Sequence, residues 1–398
     1  MKKMIALALS CIIATGSVVT GFAQQLEENI NVVLEETENG IKENVNEISE
    51  KDAELVAKQF IISRSKAPGV TETFPENFTL EKNITMYDLS DTPSAYKFDV
   101  LDENGSYSGY IVIGAQKCYH PVIEFSCSDG ESIFDTAANK TRNANKMYYV
   151  GGIDYLVENE AEELVDLDGQ NIGTYSELQG TLKKARDSED EFKNEWNDAL
   201  ERASKVAEIE DPADIEEDWD DFDGQEMYDY NTVKYVTQGQ YPDRDNCSAV
   251  AAVNAFAYCD EIYGMNKLKL NGSWDATYRR ILQTSGAAGG NGALAKDLFN
   301  AIETFIDDVG VTRLNCSYSA RVNTDTIRSN ILKDSPQILF LMNNKIYNDH
   351  FVLVVSYEKY MYDTKDDKIY FGIIGGRTTS VRYIPYDRTS NSVITLSC

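Results

Sequence analysis

Histidine is nearly missing: His120 and His350 are the only two in 398 residues. Imidazole is the one side chain whose ordinary pKa lies near neutrality, so a general base at neutral pH has few places to sit. CxxC and HExxH are both absent, which removes the usual sequence cues for zinc, and neither a metal nor a cofactor is expected. Basic residues are short as well, 37 Lys plus Arg against 66 Asp plus Glu, for a net charge of −29. Such acidity argues against nucleic acid as a partner. Beyond residue 23 no stretch approaches the ~20 uninterrupted apolar residues of a membrane span.

Residues 1–23, MKKMIALALSCIIATGSVVTGFA, place Lys2 and Lys3 before an apolar run that ends in small residues. This reads as a signal peptide, so the mature protein is expected to be secreted and soluble. Removing 23 of 398 residues leaves 375, more than one core usually serves, and two domains are expected. Charge marks the division. From residue 231 onward 18 basic residues face 17 acidic ones, so the total of −29 puts −30 on residues 1–230. Of seven cysteines, Cys11 leaves with the signal; Cys118, Cys127, Cys247, Cys259, Cys316 and Cys398 are too irregularly spaced for a small stapled scaffold, and their pairing stays open.

Residues 24–50 form an acidic lead-in. Ser49 and Glu50 then precede an amphipathic helix with Ala53, Val56, Ala57, Phe60 and Ile61 on one face. Short strands follow, SAYKFDVLD, GYIVIGA and HPVIEFSCSDG, with Asn104-Gly105 and Asp129-Gly130 as turns. A small α+β domain over residues 51–158 is the expectation, with His120 in a structural or surface role. Residues 159–230 read as an acidic linker: a helical passage around Leu178, Leu182, Trp196 and Leu200, then DPADIEEDWDDFDGQEMYDYN, which should repel itself into an extended tether.

Residues 231–398 form the second expected domain. The stretch KYVTQGQYPDRDNCSAVAAVNAFAYCDEIY puts Cys247 at the mouth of an apolar helix. There the unpaired N–H groups and the helix dipole favour a thiolate over a thiol of pKa ~8.5. Cys259, further along that helix, reads as a buried small hydrophobe. Helices after Ala293 and in NTDTIRSNILKDS precede strands QILFLMN, DHFVLVVSYEKY, KIYFGIIGG and SVRYIPYD. Helices first and twisted antiparallel sheet after is an α+β order. His350 opens a strand whose neighbours are apolar on both faces, where a base can meet a cleft. Cys247 as nucleophile and His350 as base are the candidate catalytic pair.

Two resemblances add to this. AYKFDVLDENGSYSGYIVIGAQKCYHPVIEFSCSDG and YYVGGIDYLVE resemble the propeptide domain of streptopain-type (C10) cysteine peptidases, which implies that the N-terminal half is an intramolecular inhibitor. NCSAVAAVNAF, with DHFVLVVSYEKY and KIYFGIIGG, is similar to the C39-like branch of the papain-like peptidases. That implies a papain-like fold, a peptide or protein substrate, Cys247 and His350 in the nucleophile and base roles, and an oxyanion-hole glutamine at Gln240, with Gln238 as the alternative. Two departures stand out. Ser248 replaces the usual glycine, which a side chain pointing to solvent would accommodate. The strand that should end in Asp or Asn to orient the imidazole ends in Gly375-Gly376 instead, and Asn348 and Asp349 are merely close in sequence. The expected activity is that of a secreted cysteine peptidase precursor; a non-catalytic binding or inhibitory protein on this fold, and a Cys-dependent acyltransferase or amidase, are the alternatives.

Overall fold

Ser49 shows how the first described helix begins. Its extended backbone and side-chain oxygen, which accepts from the Asp52 N–H at 3.1 Å, cap α1 (Glu50–Ser65). The computed structural model describes residues 46–70, 72–130, 132–135, 146–149, 151, 155–159, 163–167, 171–174, 192–206, 219–243, 245–289, 292–341, 350–363, 366–386 and 392–397. The signal segment and most of the lead-in lie outside them, as do Leu178 and Leu182.

Four antiparallel strands follow α1: β1 (Phe78–Tyr87), β2 (Pro93–Asp102), β3 (Tyr107–Gly114) and β4 (Val122–Ser126). Alternation sorts their side chains onto two faces. Tyr96, Phe98, Val100, Ile111 and Ile113 pack into the core that includes α1, whereas Tyr110, Val112 and Ile123 join a second cluster. That second cluster is completed by β5 (Lys146–Tyr149), β6 (Tyr155–Glu158) and β7 (Glu163–Asp166), and β8 (Asn171–Thr174) extends the edge. Helix α2 (Lys193–Val206) buries Trp196 fully and packs on α1.

The acidic stretch expected as a tether is in part a strand. β9 (Asp221–Glu226) pairs antiparallel with β12 (His350–Met361), from Asp221↔Met361 to Glu226↔Ser356. It takes the edge that β11 (Gln337–Leu341) leaves free, because β11 pairs only with residues 350–354 of β12. Side chains compensate the charge and add contact: Asp223 pairs with Arg328, and Trp219 and Phe222 pack on Tyr360.

Beyond it come α3 (Cys247–Tyr263), α4 (Trp274–Thr284), α5 (Ala295–Val309), β10 (Asn315–Ser319) and α6 (Thr324–Ile331). After β11 and β12 the chain adds β13 (Lys368–Ile374), β14 (Arg382–Pro385) and β15 (Ser392–Ser397). The strand order is β10-β15-β11-β12-β13-β14-β4-β3-β2-β1-β5-β6-β7-β8, a mixed sheet because β1 and β5 run parallel. Helix α3 lies against β12 and β11. The architecture is α+β.

Residues from Ile48 onward form one compact unit, and the sheet crosses the division near Asn231 at Tyr383↔Phe125. Two buried ion pairs tie the halves. Arg64 of α1 donates to both carboxylate oxygens of Glu358 on β12, at 2.6 and 3.2 Å, and Arg382 of β14 grips Glu124 of β4. Burial opposes the charge on Arg64, but Glu358 outweighs it and keeps the guanidinium protonated. The rings of Phe125 and Tyr383 stack at 4.8 Å, and the Arg64 guanidinium stands 4.8 and 5.0 Å from their centres.

Candidate active site

Cys247 is the first residue of α3 and is buried, 8% exposed. The helix is apolar all round, and from Cys247 to Cys259 every residue is buried. The residue before it, Asn246, does not cap the helix with its side chain. Its Nδ2 donates instead to the Gln238 carbonyl at 3.3 Å. The polar approach is pinned by Asp243, which accepts from the Tyr278 hydroxyl at 3.0 Å, while Tyr241 stacks on the Tyr278 ring.

His350 opens β12 and is 6% exposed. Its Nε2 lies 3.0 Å from the carbonyl oxygen of Gly375. A carbonyl can only accept, so Nε2 carries the proton and a neutral ring presents Nδ1 as its basic nitrogen.

The two glutamines separate clearly. Gln240 ends a single 3-10 turn, Gln238–Gln240, and is exposed. Gln238 is buried, donates its backbone N–H to the Gly376 carbonyl at 2.6 Å, and has an Oε1 buried without a partner. A Cβ placed on Gly376 would sit 3.1 Å from Val250 Cγ1 and 3.5 Å from Gln238 Cγ. Val250 lies one turn along α3 from Cys247. The described contacts thus link His350, Gly375, Gly376, Gln238, Asn246 and Cys247, and leave Gln240 outside. Sequence spacing favoured Gln240; of the two, Gln238 is the buried one and the one bonded to the glycine pair.

Ser248 also differs from expectation. Its side chain points inward, fully buried, and its Oγ has no partner. The reason is the all-round burial of α3, which leaves no solvent-facing side in its first turns. Asn348 and Asp349 lie outside the described residues. The Gly375-Gly376 pair, read from sequence as a missing orienting residue, supplies a backbone acceptor. The signal for it was a glycine pair directly after a buried strand, beside the strand that carries the histidine.

Two further cysteines and the second histidine sit in other surroundings. Burial pushes the thiols of Cys127 and Cys316 up to about 12. His120 donates from Nδ1 to Glu195 at 3.1 Å and its ring packs on Phe192, a structural role. Among the described residues no helix is long and apolar enough to cross a membrane.

No protein-family model and no curated protein matches the chain. Among solved structures it is similar to a prointerpain A fragment from Prevotella intermedia, at 11% identity and a TM-score of 0.37, over 80% of this chain and 98% of that one.

Proposed function

We propose that this chain is a papain-like cysteine peptidase of the C39-like kind, secreted as a precursor whose N-terminal half, residues 24–230, restrains it. The observation that carries the reading is the buried His350 with its Nε2 on the Gly375 carbonyl, in the same contact chain as the helix-terminal Cys247. In this reading His350 Nδ1 takes the proton of Cys247, and the thiolate attacks a peptide carbonyl. The new C–S bond pushes the carbonyl electrons onto oxygen, where the Cys247 N–H and the Gln238 side-chain amide receive them. Collapse breaks the C–N bond, and the imidazolium protonates the leaving amine. Water, activated by the same Nδ1, then releases the acid and restores the thiol.

The test is alkylation of the full chain with iodoacetamide from pH 4 to 9, mapped by mass spectrometry, before and after limited proteolysis, beside a His350→Ala variant. Selective labelling of Cys247 well below pH 8, lost in the variant, is expected. If Cys247 labels no faster than Cys316 in every sample, the non-catalytic binding protein becomes the better reading. Hydrolysis and acyl transfer share the acyl-enzyme, so a peptide substrate offered with a competing amine separates them. Labelling that rises on proteolysis supports the restraining role of residues 24–230; equal labelling before and after refutes it.

A further inference from the structure

The geometry points to the Gly375-Gly376 turn as the positioning element of this site, in which main-chain carbonyls hold the base and the oxyanion glutamine in place of an orienting carboxamide or carboxylate side chain. The inference rests on the peptidase reading above and deepens it.

Two successive carbonyls face two different partners. Gly375 O receives His350 Nε2 at 3.0 Å, and Gly376 O receives the Gln238 N–H at 2.6 Å. An acceptor on Nε2–H stabilises the imidazolium more than the neutral ring and fixes which nitrogen is basic. The second bond fixes the backbone from which the Gln238 side chain extends. A change of one carbonyl direction therefore moves both groups.

The turn requires glycine at its second position. Gly376 has φ +79°, the left-handed region that side chains disfavour, and its missing Cβ is what lets Val250 of α3 approach. A larger residue there must shift either the turn or the helix that bears Cys247. At Gly375 a Cβ would meet Arg382 Nη1 at 3.4 Å, an ordinary contact. Arg382 is held in turn by Glu124, so a buried ion pair stands beside the turn.

The chain's two histidines make the test direct. The full protein, ring-labelled with 15N and 13C at histidine, gives two sets of ring signals, assigned by His350→Ala. The expected result is a His350 Nε2 proton protected from exchange, and the Nε2–H form wherever the ring is neutral. An Nδ1–H form, or an Nε2 proton that exchanges as fast as in free imidazole, overturns the proposal. In Gly376→Ala the His350 titration should move down by roughly one pH unit, the scale of a lost hydrogen bond to a charged group. The pH profile of Cys247 alkylation should move up with it, while His120 keeps its shift. A His350 titration and an alkylation profile both unmoved in Gly376→Ala overturn the proposal too. If His120 also moves, the variant has unfolded, and the wild-type exchange result decides alone. The proposal and the reading beneath it fail differently. A protected Nε2 proton beside an unreactive Cys247 refutes the peptidase and upholds the contact; a reactive Cys247 beside an unprotected proton refutes the positioning role only.

Discussion

Replacing Arg64 with Met tests whether the two halves of this chain are one cooperative structure. Arg64 is 1% exposed and gives Glu358 two hydrogen bonds, the Glu72 carbonyl another at 2.7 Å, and two aromatic rings a cation. Methionine keeps much of the volume and none of the charge. Glu358, 3% exposed, would retain the Tyr360 hydroxyl at 2.8 Å as its donor in this cluster. Removing one partner of a buried pair costs about 3–5 kcal/mol, because the other charge is stranded. Removing both is far milder: Arg64→Met with Glu358→Leu orphans the Tyr360 hydroxyl, for about 1–3 kcal/mol. The assay is urea unfolding of the wild type, each single variant and the double, followed by far-UV circular dichroism and by tyrosine and tryptophan fluorescence. The expected pattern is a single transition in each, with the double variant more stable than Arg64→Met. If the double is as unstable as the sum of the singles, or if Arg64→Met costs under about 1 kcal/mol, the pair does not hold the halves together as argued.

Ser248→Ala should stabilise the protein by about 1–2 kcal/mol and so raise the urea midpoint, because it removes a buried hydroxyl with no partner and adds a better helix former; a lower midpoint would refute that. Burial alone would raise the Glu195 carboxyl, but Lys368 and His120 override it and hold it at about 2, below its ordinary 4.5. Its contribution is therefore present above pH 4.5 and lost as pH falls toward 2. With about a fifth of the side chain exposed, the ceiling is about 3 kcal/mol and the real figure smaller. Melting curves of wild type and Glu195→Gln should converge as pH drops through that window, and a constant gap would contradict the assignment. Cys127 and Cys316, with thiols near 12, should be about 10⁻⁵ thiolate at pH 7 and resist iodoacetamide in the native protein; mass-spectrometric labelling of either at the rate of free cysteine would refute the burial that sets them there.

The local elements were largely legible in the sequence because each carries its own period or cap. Ser49 starts α1 where the capping pattern put it, and the strand that holds His350 and the one that ends just before Gly375 follow their apolar runs. What could not be read was pairing at long range. The acidic residues 221–226 have too few apolar side chains to announce a strand, and they become one because β12 has an unpaired edge there. The same holds at the site. Cys247 and His350 became candidates by residue type, which the proposed chemistry constrains tightly. Gln238 and Gln240 share a type and differ in burial, a property of the folded chain. The Gly375 carbonyl that meets His350 could not be read from sequence because a carbonyl belongs to every residue, and only its direction is special.

Charge shows why whole-segment totals mislead about contacts. The N-terminal 230 residues carry −30 and the rest +1, which suggests a half that solvent keeps apart. Yet the halves exchange charge in both directions: Arg64 reaches across to Glu358, and Arg382 reaches back to Glu124. Each pair is internally neutral and out of solvent, so neither registers in the net charge and neither is weakened much by salt. A chain begun at Asn231 would lose β9 from β12 and β4 from β14, and would keep Glu358 and Arg382 without these partners. Such a piece should be far less stable than the whole. A single cut between the halves is a different perturbation, because by itself it removes no described contact; release of the restraint needs digestion of the N-terminal half itself. The cut protein should run as one species in gel filtration at 1 M salt and separate only in denaturant. Separation by salt alone would show that surface charge, and not the buried pairs and stacked rings, joins them.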